Sequence, residues 1–210
     1  MRLHYLPGTA AMAPHAALAE IGAPYELVLV ELADGRVSDA YLALNPWGKI
    51  PTLEDDDLVL TESAAICLHL ADKYPEARLA PPVGSPDRPE LYRWLMWLTN
   101  TVQMTQMRHF YPDRYGTEGV KEAADADLAG FYDLLDAHLA GREWLVGDER
   151  SVADLFLFMM TRWGRFLEPP AWERPHLRAH WLRTLKLAGV QGMIEEQGLE
   201  LPEFARQAVD

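Results

Sequence analysis

The residues whose types and spacing suggest chemistry lie in the segment 45–63, which reads NPWGKIPTLEDDDLVLTES. The segment ends on Thr61-Glu62-Ser63, directly before an apolar stretch with the spacing of a helix. A helix start has unpaired backbone N–H groups and a partial positive charge, so it suits a bound carboxylate. Ser63 would then bind an anion together with the backbone, and Glu62 would bind a cation. The alternative is that Thr-Glu-Ser only caps the helix.

Other chemistries find little support in the residue types. Cys67 is the only cysteine, which rules out a disulfide framework, and its place in an apolar helical stretch predicts a buried, unreactive thiol. His176 and His180 are four residues apart on a predicted helix, but no third ligand has suitable spacing, so we predict no metal site. The net charge of −13 disfavours nucleic-acid binding, because that binding depends on neutralising phosphates.

Before residue 75 the pattern alternates between strands and helices. Pro51 lacks a backbone donor and therefore belongs at the first residue of a strand or at a sheet edge. Asp55-Asp56-Asp57 supplies turn chemistry for a hairpin. The order of elements predicts a small α/β domain with a mixed sheet. The predicted elements are strands at 2–7 and 25–32, a hairpin at 52–60, helices at 10–21 and 62–74, and a short helix or turn at 37–44.

After residue 75 the composition changes. Five prolines between residues 75 and 89 indicate a linker, and the periodicity beyond it is helical. Ser151 and Asp154 have the spacing of a capping box at the start of an apolar helix. Further helices are predicted at 91–110, 117–139, 176–187 and 189–197. We therefore predict a first domain at 1–75, a linker at 76–85 and an all-helical domain at 86–210.

The composition also bears on where the protein works. No apolar run is long enough to span a bilayer, and the N-terminal residues lack the apolar region of a signal peptide. The negative charge is typical of a soluble protein whose copies repel one another at long range. We therefore expect a cytoplasmic protein that binds neither membranes nor nucleic acids.

The motifs in this order resemble those of the cytosolic glutathione transferases, and the resemblance covers essentially the whole chain. NPWGKIPTL is similar to the loop before that family's cis-proline, TESAAI to its glutathione-binding helix start, and SVADLFLF to its capped core helix. LHYLPGTAAMAPH resembles the opening of the bacterial beta class, and YLPGT that of the delta class. The resemblance implies the glutathione transferase fold: an α/β thioredoxin-like N-terminal domain that binds glutathione, and an all-α C-terminal helical bundle.

The resemblance assigns roles to the residues of segment 45–63. It implies that Pro51 is cis and that the backbone of Ile50 pairs with the cysteinyl part of glutathione. The alternative is a trans proline that starts an edge strand. Ser63 would bind the γ-glutamyl carboxylate and Glu62 the ammonium group. The implied glutathione-binding residues are Thr9, Ala10, Lys49, Ile50, Pro51, Glu62 and Ser63.

Catalysis by this family requires the thiol of glutathione as a thiolate. Lowering a thiol pKa from about 8.5 by two units requires ~2.7 kcal/mol of preferential stabilisation of the anion. A helix dipole contributes only ~0.3–1 kcal/mol, whereas one hydroxyl hydrogen bond to a charged acceptor contributes ~1.5–3 kcal/mol. A hydroxyl therefore decides whether this chain is an enzyme.

Thr9 and Tyr5 are the candidate catalytic hydroxyls. Thr9 aligns with the delta-class serine and is the first candidate, with a helix N-cap as its alternative role. Tyr5 is the second candidate, with a packed aromatic residue as the alternative. The chain has Ala10 where the beta class has its cysteine, and Gln103 where that class has a histidine. A mixed disulfide with the protein is therefore excluded.

The resemblance also implies a second-substrate pocket, a reaction and an assembly. The predicted function is conjugation of the glutathione thiolate to small hydrophobic electrophiles, with glutathione as co-substrate and no permanently bound cofactor. The alternative is a non-catalytic glutathione-binding or ligand-carrying protein. A homodimer is implied. The candidate pocket residues, whose alternative is ordinary core packing, are Gln103, Gln106, Met107, Phe110, Tyr111, Trp163 and Phe166.

Overall fold

A computed structural model describes residues 1–206 of the 210-residue chain. The last part of the predicted domain 86–210, residues 207–210, lies outside the described residues. The chain forms two units: one comprises residues 1–77 and the segment that begins at Lys186, and the other comprises residues 78–185. This division differs from the predicted boundaries, because the segment after residue 185 belongs with the first unit.

The strands occur within the first 61 residues. In chain order they are β1 (Arg2–Tyr5), β2 (Glu26–Leu29), β3 (Leu32–Ala33), β4 (Arg36–Val37), β5 (Thr52–Asp55) and β6 (Leu58–Thr61). A four-stranded sheet has the order β2-β1-β5-β6. β1 pairs with β2 in parallel and with β5 antiparallel, and β5 pairs with β6 antiparallel. This is the predicted mixed sheet.

The helices follow the predicted order. They are α1 (Met12–Ile21), α2 (Asp39–Leu44), α3 (Ser63–Lys73), α4 (Asp87–Trp97), α5 (Met104–Phe110), α6 (Val120–Leu139), α7 (Val152–Trp163), α8 (Pro175–Leu185), α9 (Ala188–Glu196) and α10 (Glu203–Arg206). The first unit contains α1 to α3 with α9 and α10, and the second contains α4 to α8. Within the described residues, no helix has both the length and the apolar character that crossing a membrane requires.

Two predicted elements are divided into more elements in the structure. The second strand ends at Leu29 instead of residue 32, because a small hairpin of β3 and β4 follows it. Asp34 and Gly35 turn this hairpin with φ of 51° and 74°, the backbone that an Asp-Gly pair favours in a two-residue turn. The predicted helix at 91–110 is two helices, α4 and α5, joined by a wider π-helical turn at Leu98–Gln103.

The capping box at the start of α7 is confirmed. The Ser151 hydroxyl accepts the Ala153 N–H at 3.2 Å, and the Asp154 carboxylate accepts the Ser151 N–H at 2.8 Å. The same carboxylate binds Leu145 N and His180 Nε2, each at 2.8 Å. All twelve residues of α7 are buried. The box therefore fixes the central helix of the second unit to two neighbouring segments.

In the first unit, α9 packs directly against α1. A Cβ at Gly189 would lie 2.6 Å from the carbonyl oxygen of Ala16 and 2.4 Å from the backbone nitrogen of Glu20. The Gly189 N–H also donates to the Glu20 carboxylate at 2.8 Å. Only glycine permits this approach, so the C-terminal segment is joined to the helix that follows β1.

Candidate functional site

The sheet register places the candidate residues of the first unit at one end of the strands. His4 lies opposite Thr52, and Thr52 lies opposite Thr61. Pro51 precedes Thr52 and Glu62 follows Thr61, so both extend from the same end of the sheet. β1 is antiparallel to β5, so the C-terminal end of β1, at Tyr5, lies at this end of the sheet as well. The strands thus bring together the beginning of α1, the loop 45–51 and the beginning of α3.

The loop before β5 is held by a buried polar network. The hydroxyl of Tyr41 donates to the Lys49 carbonyl at 2.7 Å, and the Asn45 amide donates to the same carbonyl at 2.8 Å. Both side chains also contact the Thr52 hydroxyl, at 2.9 and 3.0 Å. The Asn45 side chain further accepts the Trp47 N–H at 3.1 Å. The network fixes the backbone that leads into Ile50.

The Ile50–Pro51 peptide bond is cis, as the resemblance implied. Pro51 is buried, whereas the Lys49 side chain is exposed. Lys49 therefore contributes its carbonyl group to the loop network, while its side chain is exposed. Sequence reasoning missed Tyr41, Asn45 and Thr52. The asparagine before the Pro-Trp-Gly turn was the one available signal, because asparagine commonly bonds to the backbone two residues on.

The start of α3 has no side-chain cap. Glu62 precedes the helix with φ 68° and ψ 112°, a backbone conformation that is rare for a residue with a side chain. Its carboxylate is exposed and has no partner within residues 1–206. Ser63 is the first helical residue and is 7% exposed. The alternative that Thr-Glu-Ser caps the helix is wrong, because no side chain accepts a hydrogen bond from the first N–H groups of α3.

Thr9 lies in the turn between β1 and α1. Its hydroxyl donates to the Leu6 carbonyl at 2.7 Å and accepts the Ala11 N–H at 3.4 Å. The N-cap of α1 is Ala11, so the predicted helix start at Ala10 and the N-cap role of Thr9 are both wrong. Thr9 instead closes the turn that precedes the helix, and its only proton faces the protein backbone. The ring of Tyr5 packs beside that of His15, with 6.3 Å between centroids.

The turn that contains Gly8 and Thr9 is supported by Gln197 and Glu196 from the C-terminal segment. Sequence reasoning missed both residues. Gln197 accepts the Gly8 N–H at 3.0 Å, and its amide N–H bonds to His15 Nδ1 at 2.9 Å. His15 is fully buried, and its Nε2 bonds to Glu196 at 3.1 Å. Burial lowers the pKa of His15, although Glu196 opposes that shift. Burial, together with Glu196, raises the pKa of Tyr25 to about 12, so this phenol stays protonated.

The second unit contains the pocket candidates. Phe110 is the centre of an aromatic group, with its ring centroid 5.7 Å from Phe166, 6.3 Å from Trp163 and 6.5 Å from Tyr111. Phe166 and Tyr111 are 56% and 45% exposed, whereas Trp163 is buried. Met107 is half-buried on the same helix. Phe166 and Tyr111 therefore expose apolar ring surface to solvent.

The two glutamines have different surroundings. Gln106 is buried, and its amide N–H group donates to the Tyr132 hydroxyl at 2.7 Å and to the Met160 carbonyl at 2.9 Å. Gln106 therefore joins helices in the core of the second unit, and its prediction as a pocket residue is corrected. Gln103 is half-buried at the end of the π-helical turn. π-Helical turns are frequent at functional sites.

The remaining reactive side chains are structural. Cys67 is fully buried, and burial raises the pKa of its thiol well above the ordinary range, so the prediction of an unreactive thiol is confirmed. His180 is buried against Asp154, whereas His176 is exposed, so the two do not face a common ligand. Within residues 1–206 no group of three potential ligands is placed to hold a metal ion.

Comparison with known families gives two matches along the chain. The model described as "Glutathione S-transferase, N-terminal domain" matches residues 1–72. The model described as "Glutathione S-transferase, C-terminal domain" matches residues 98–187. Together they span both units that the structure describes.

Individual relatives cover nearly the full chain. Glutathione S-transferase GST-4.5 of Xanthomonas campestris is 33% identical over 95% of this chain and 100% of its own length. Glutathione S-transferase GstA of Escherichia coli O157:H7 is 32% identical over 95% of this chain and 100% of its own length.

Solved structures give the same result. A bacterial beta-class glutathione S-transferase from Sphingomonas chungbukensis superposes with a TM-score of 0.87, at 34% identity, over 95% of this chain and 100% of that one. A sphingomonad glutathione S-transferase solved in complex with glutathione has the same TM-score, identity and coverage. This chain is therefore similar in sequence and in fold to glutathione S-transferases.

Proposed function

The chain belongs to the glutathione S-transferase family, and on that basis we propose that it conjugates the thiolate of glutathione to small hydrophobic electrophiles. Glutathione is its co-substrate, and it has no permanently bound cofactor. The individual roles of the residues at the sheet edge, the identity of the electrophile and the assembly are parts of this proposal.

The observation that carries the proposal is the uncapped N-terminus of α3 beside the loop that ends at Ile50. The γ-glutamyl carboxylate of glutathione would accept hydrogen bonds from the Ser63 hydroxyl and from the first N–H groups of α3. The exposed Glu62 carboxylate would bind the ammonium group. The backbone of Ile50, fixed by the network around Asn45, would pair with the cysteinyl residue. The sulfur would then lie toward the turn that carries Thr9.

Thr9 is the proposed activating hydroxyl. In the structure its proton is donated to the Leu6 carbonyl, so it must rotate toward the sulfur when glutathione binds. Losing a neutral hydrogen bond costs ~0.5–1.5 kcal/mol, whereas a bond to a charged acceptor contributes ~1.5–3 kcal/mol. The balance favours the thiolate as acceptor, since the charged bond is the stronger one. Tyr5 is the second candidate for this role.

A second candidate function is glutathione binding or ligand carriage without turnover. The Thr9–Leu6 hydrogen bond favours it, because a hydroxyl that keeps this bond cannot stabilise a thiolate. Ala10 and Gln103 favour it too, because they stand where the beta class has its cysteine and histidine. The two functions differ in the ionisation state of bound glutathione.

An absorbance difference spectrum near about 240 nm, where thiolates absorb, distinguishes the two functions. Protein saturated with glutathione at neutral pH is compared with the sum of its separate components. The transferase predicts a thiolate signal and glutathione-dependent release of chloride from 1-chloro-2,4-dinitrobenzene. Binding of glutathione without either signal would establish the carrier, and absence of binding would overturn both.

The proposal extends to the assembly and the compartment. We propose a homodimer that works in the cytoplasm, in which the electrophile binds at the aromatic group around Phe110. The support for the dimer and for the compartment is the family resemblance. Sedimentation equilibrium of the purified chain tests the dimer, which predicts twice the 23.8 kDa chain mass.

A further inference from the structure

Two arginine side chains lie against the aromatic group around Phe110, and a purely apolar pocket would not need them. The guanidinium of Arg165 lies 4.0 Å from the ring centroid of Phe166, and that of Arg114 lies 4.3 Å from the centroid of Tyr111. Both of these rings are about half exposed. The two arginines therefore border an open aromatic surface. We call these two arginines, with Phe110, Tyr111 and Phe166, the arginine-flanked cluster.

Neither arginine of the cluster has an acidic partner. Within residues 1–206, no carboxylate lies at ion-pair distance from Arg114 or Arg165. The nearest acidic residues in sequence, Asp113 and Glu168, are exposed and do not pair with them. Both guanidinium groups of the cluster therefore lack a neutralising carboxylate among the described residues.

Arg165 is the more confined of the two. Its side chain is half-buried, and one of its amino groups donates to the Arg162 carbonyl at 2.8 Å. Burial lowers the pKa of its guanidinium, which nevertheless stays charged at neutral pH. A partly desolvated cation without a counter-charge is unfavourable by itself. An anionic ligand would relieve that cost, and the remaining N–H groups of a guanidinium suit a carboxylate.

We infer that Arg165 makes the arginine-flanked cluster selective for aromatic electrophiles that carry a negative charge, such as halonitrobenzoates. The inference rests on the proposed function, because it specifies the second substrate of that reaction. The ring of the substrate would lie on Phe110 and Phe166, and its carboxylate would bind Arg165. Arg114, which is exposed, would add attraction at longer range.

The chemical step leaves the carboxylate of the substrate unchanged. The thiolate sulfur of glutathione attacks the ring carbon that bears chlorine. A C–S bond forms, the C–Cl bond breaks, and chloride leaves with its electron pair. No oxidant or reductant takes part. Arg165 is therefore a specificity-determining residue whose effect depends on the charge of the substrate.

The test compares two electrophiles, 4-chloro-3,5-dinitrobenzoate and neutral 1-chloro-2,4-dinitrobenzene, with the full-length protein and its variants. We expect Arg165→Gln to lower kcat/KM for the benzoate about tenfold or more, as removal of a charged hydrogen bond does. Its kcat/KM for the neutral electrophile should change less than about twofold. The matched control is Arg183→Gln, because Arg183 also lies over an aromatic ring, Trp144, and also donates to a backbone carbonyl.

The test separates failure of this inference from failure of the proposed function. If both electrophiles react and Arg165→Gln reduces both equally, the inference is overturned while the transferase function stands. If neither electrophile reacts, the transferase function fails. The affinity of the protein for anilinonaphthalenesulfonate, measured by fluorescence, then tests whether Arg165 binds anions. A tenfold weaker affinity in Arg165→Gln than in Arg183→Gln supports an anion site, whereas equal affinities overturn it.

Discussion

The side chain of Gln197 accepts a hydrogen bond of 3.0 Å from the backbone N–H of Gly8, which lies 189 residues earlier in the chain. The same side chain bonds to the buried His15 at 2.9 Å. Gly8 has φ 72° and directly precedes Thr9. The turn that carries the proposed activating hydroxyl is therefore held by a residue from the far end of the described chain.

Gln197→Leu tests whether this hydrogen bond positions the turn. The substitution removes the hydrogen bonds that the Gln197 side chain makes to the Gly8 N–H and to the buried His15, so we expect the free energy of unfolding to fall by ~1–3 kcal/mol. Turnover should fall more than glutathione affinity, since in the proposed binding mode the turn would face the sulfur and not the γ-glutamyl end. Urea unfolding and steady-state kinetics measure the two effects. Gln191→Leu, an exposed glutamine on α9, is the control, and equal behaviour of the two variants contradicts the positioning role.

Thr9→Ala tests the source of the thiolate. We expect turnover with an electrophilic aromatic substrate to fall at least about tenfold, because a hydrogen bond to a charged acceptor is lost. Glutathione affinity should change little. Thr9→Ser keeps a hydroxyl that can turn from the Leu6 carbonyl to the sulfur, so it should retain most of the activity. Wild-type turnover in Thr9→Ala would move the activating role to Tyr5 or another group.

Gly189→Ala tests the close approach of α9 to α1. The added methyl group would lie 2.4 Å from Glu20 N and 2.6 Å from Ala16 O, which are backbone atoms that cannot move aside cheaply. We expect a loss of ~1–3 kcal/mol in the free energy of unfolding. Gly192→Ala, in the same helix, meets only Ala19 Cβ at 4.0 Å and should stabilise the protein through helix propensity. Thermal unfolding of both variants measures the difference, and a stabilised Gly189→Ala would contradict the packing.

Asp55→Asn tests an ion pair that joins the sheet to α3. Burial alone would raise the pKa of Asp55, but hydrogen bonds from Lys73 and His69 outweigh it and hold that pKa below its usual value. A lowered folded-state pKa stabilises the fold above the unfolded carboxyl pKa of about 3.9, and this stabilisation is lost as the pH falls through the folded value. Below pH 4 the variant should therefore approach the wild type.

The measurement is urea unfolding between about pH 3 and pH 7. We expect Asp55→Asn to cost ~1–3 kcal/mol from pH 5 to pH 7 and progressively less below that range. Asp57→Asn, at an exposed position of the same hairpin, should follow the wild type throughout. A penalty that does not change with pH would mean that the charge of Asp55 is not what stabilises the contact.

Elements with strong periodicity or turn chemistry could be predicted from the sequence. The hairpin around Asp56 and the capping box of Ser151 and Asp154 each depend on neighbouring residues, and both occur as predicted. The hairpin at Asp34-Gly35 was missed although its turn residues are favourable, because its two strands are only two residues long. The cis bond at Glu168–Pro169 has no local pattern that distinguishes it from other X-Pro bonds.

The support of the site could not be predicted in the same way. Gln197 and His15 meet across 182 residues, and Tyr41 reaches Thr52 only after the sheet has formed. The hydrogen-bond partner of a single polar residue on a helix cannot be predicted from the neighbouring sequence, since it depends on tertiary packing. Gln106 shows the converse case, because its helical position suggested a pocket while its neighbours place it in the core.

A crystal structure of the protein with glutathione tests the proposed binding of glutathione at the start of α3. We expect the γ-glutamyl carboxylate at hydrogen-bond distance, about 3 Å, from Ser63 and the first N–H groups of α3. We also expect the cysteinyl backbone to pair with Ile50, and the sulfur to lie within the same distance of the Thr9 hydroxyl, which has turned from Leu6. Glutathione bound elsewhere, or an empty helix start at millimolar glutathione, would contradict it.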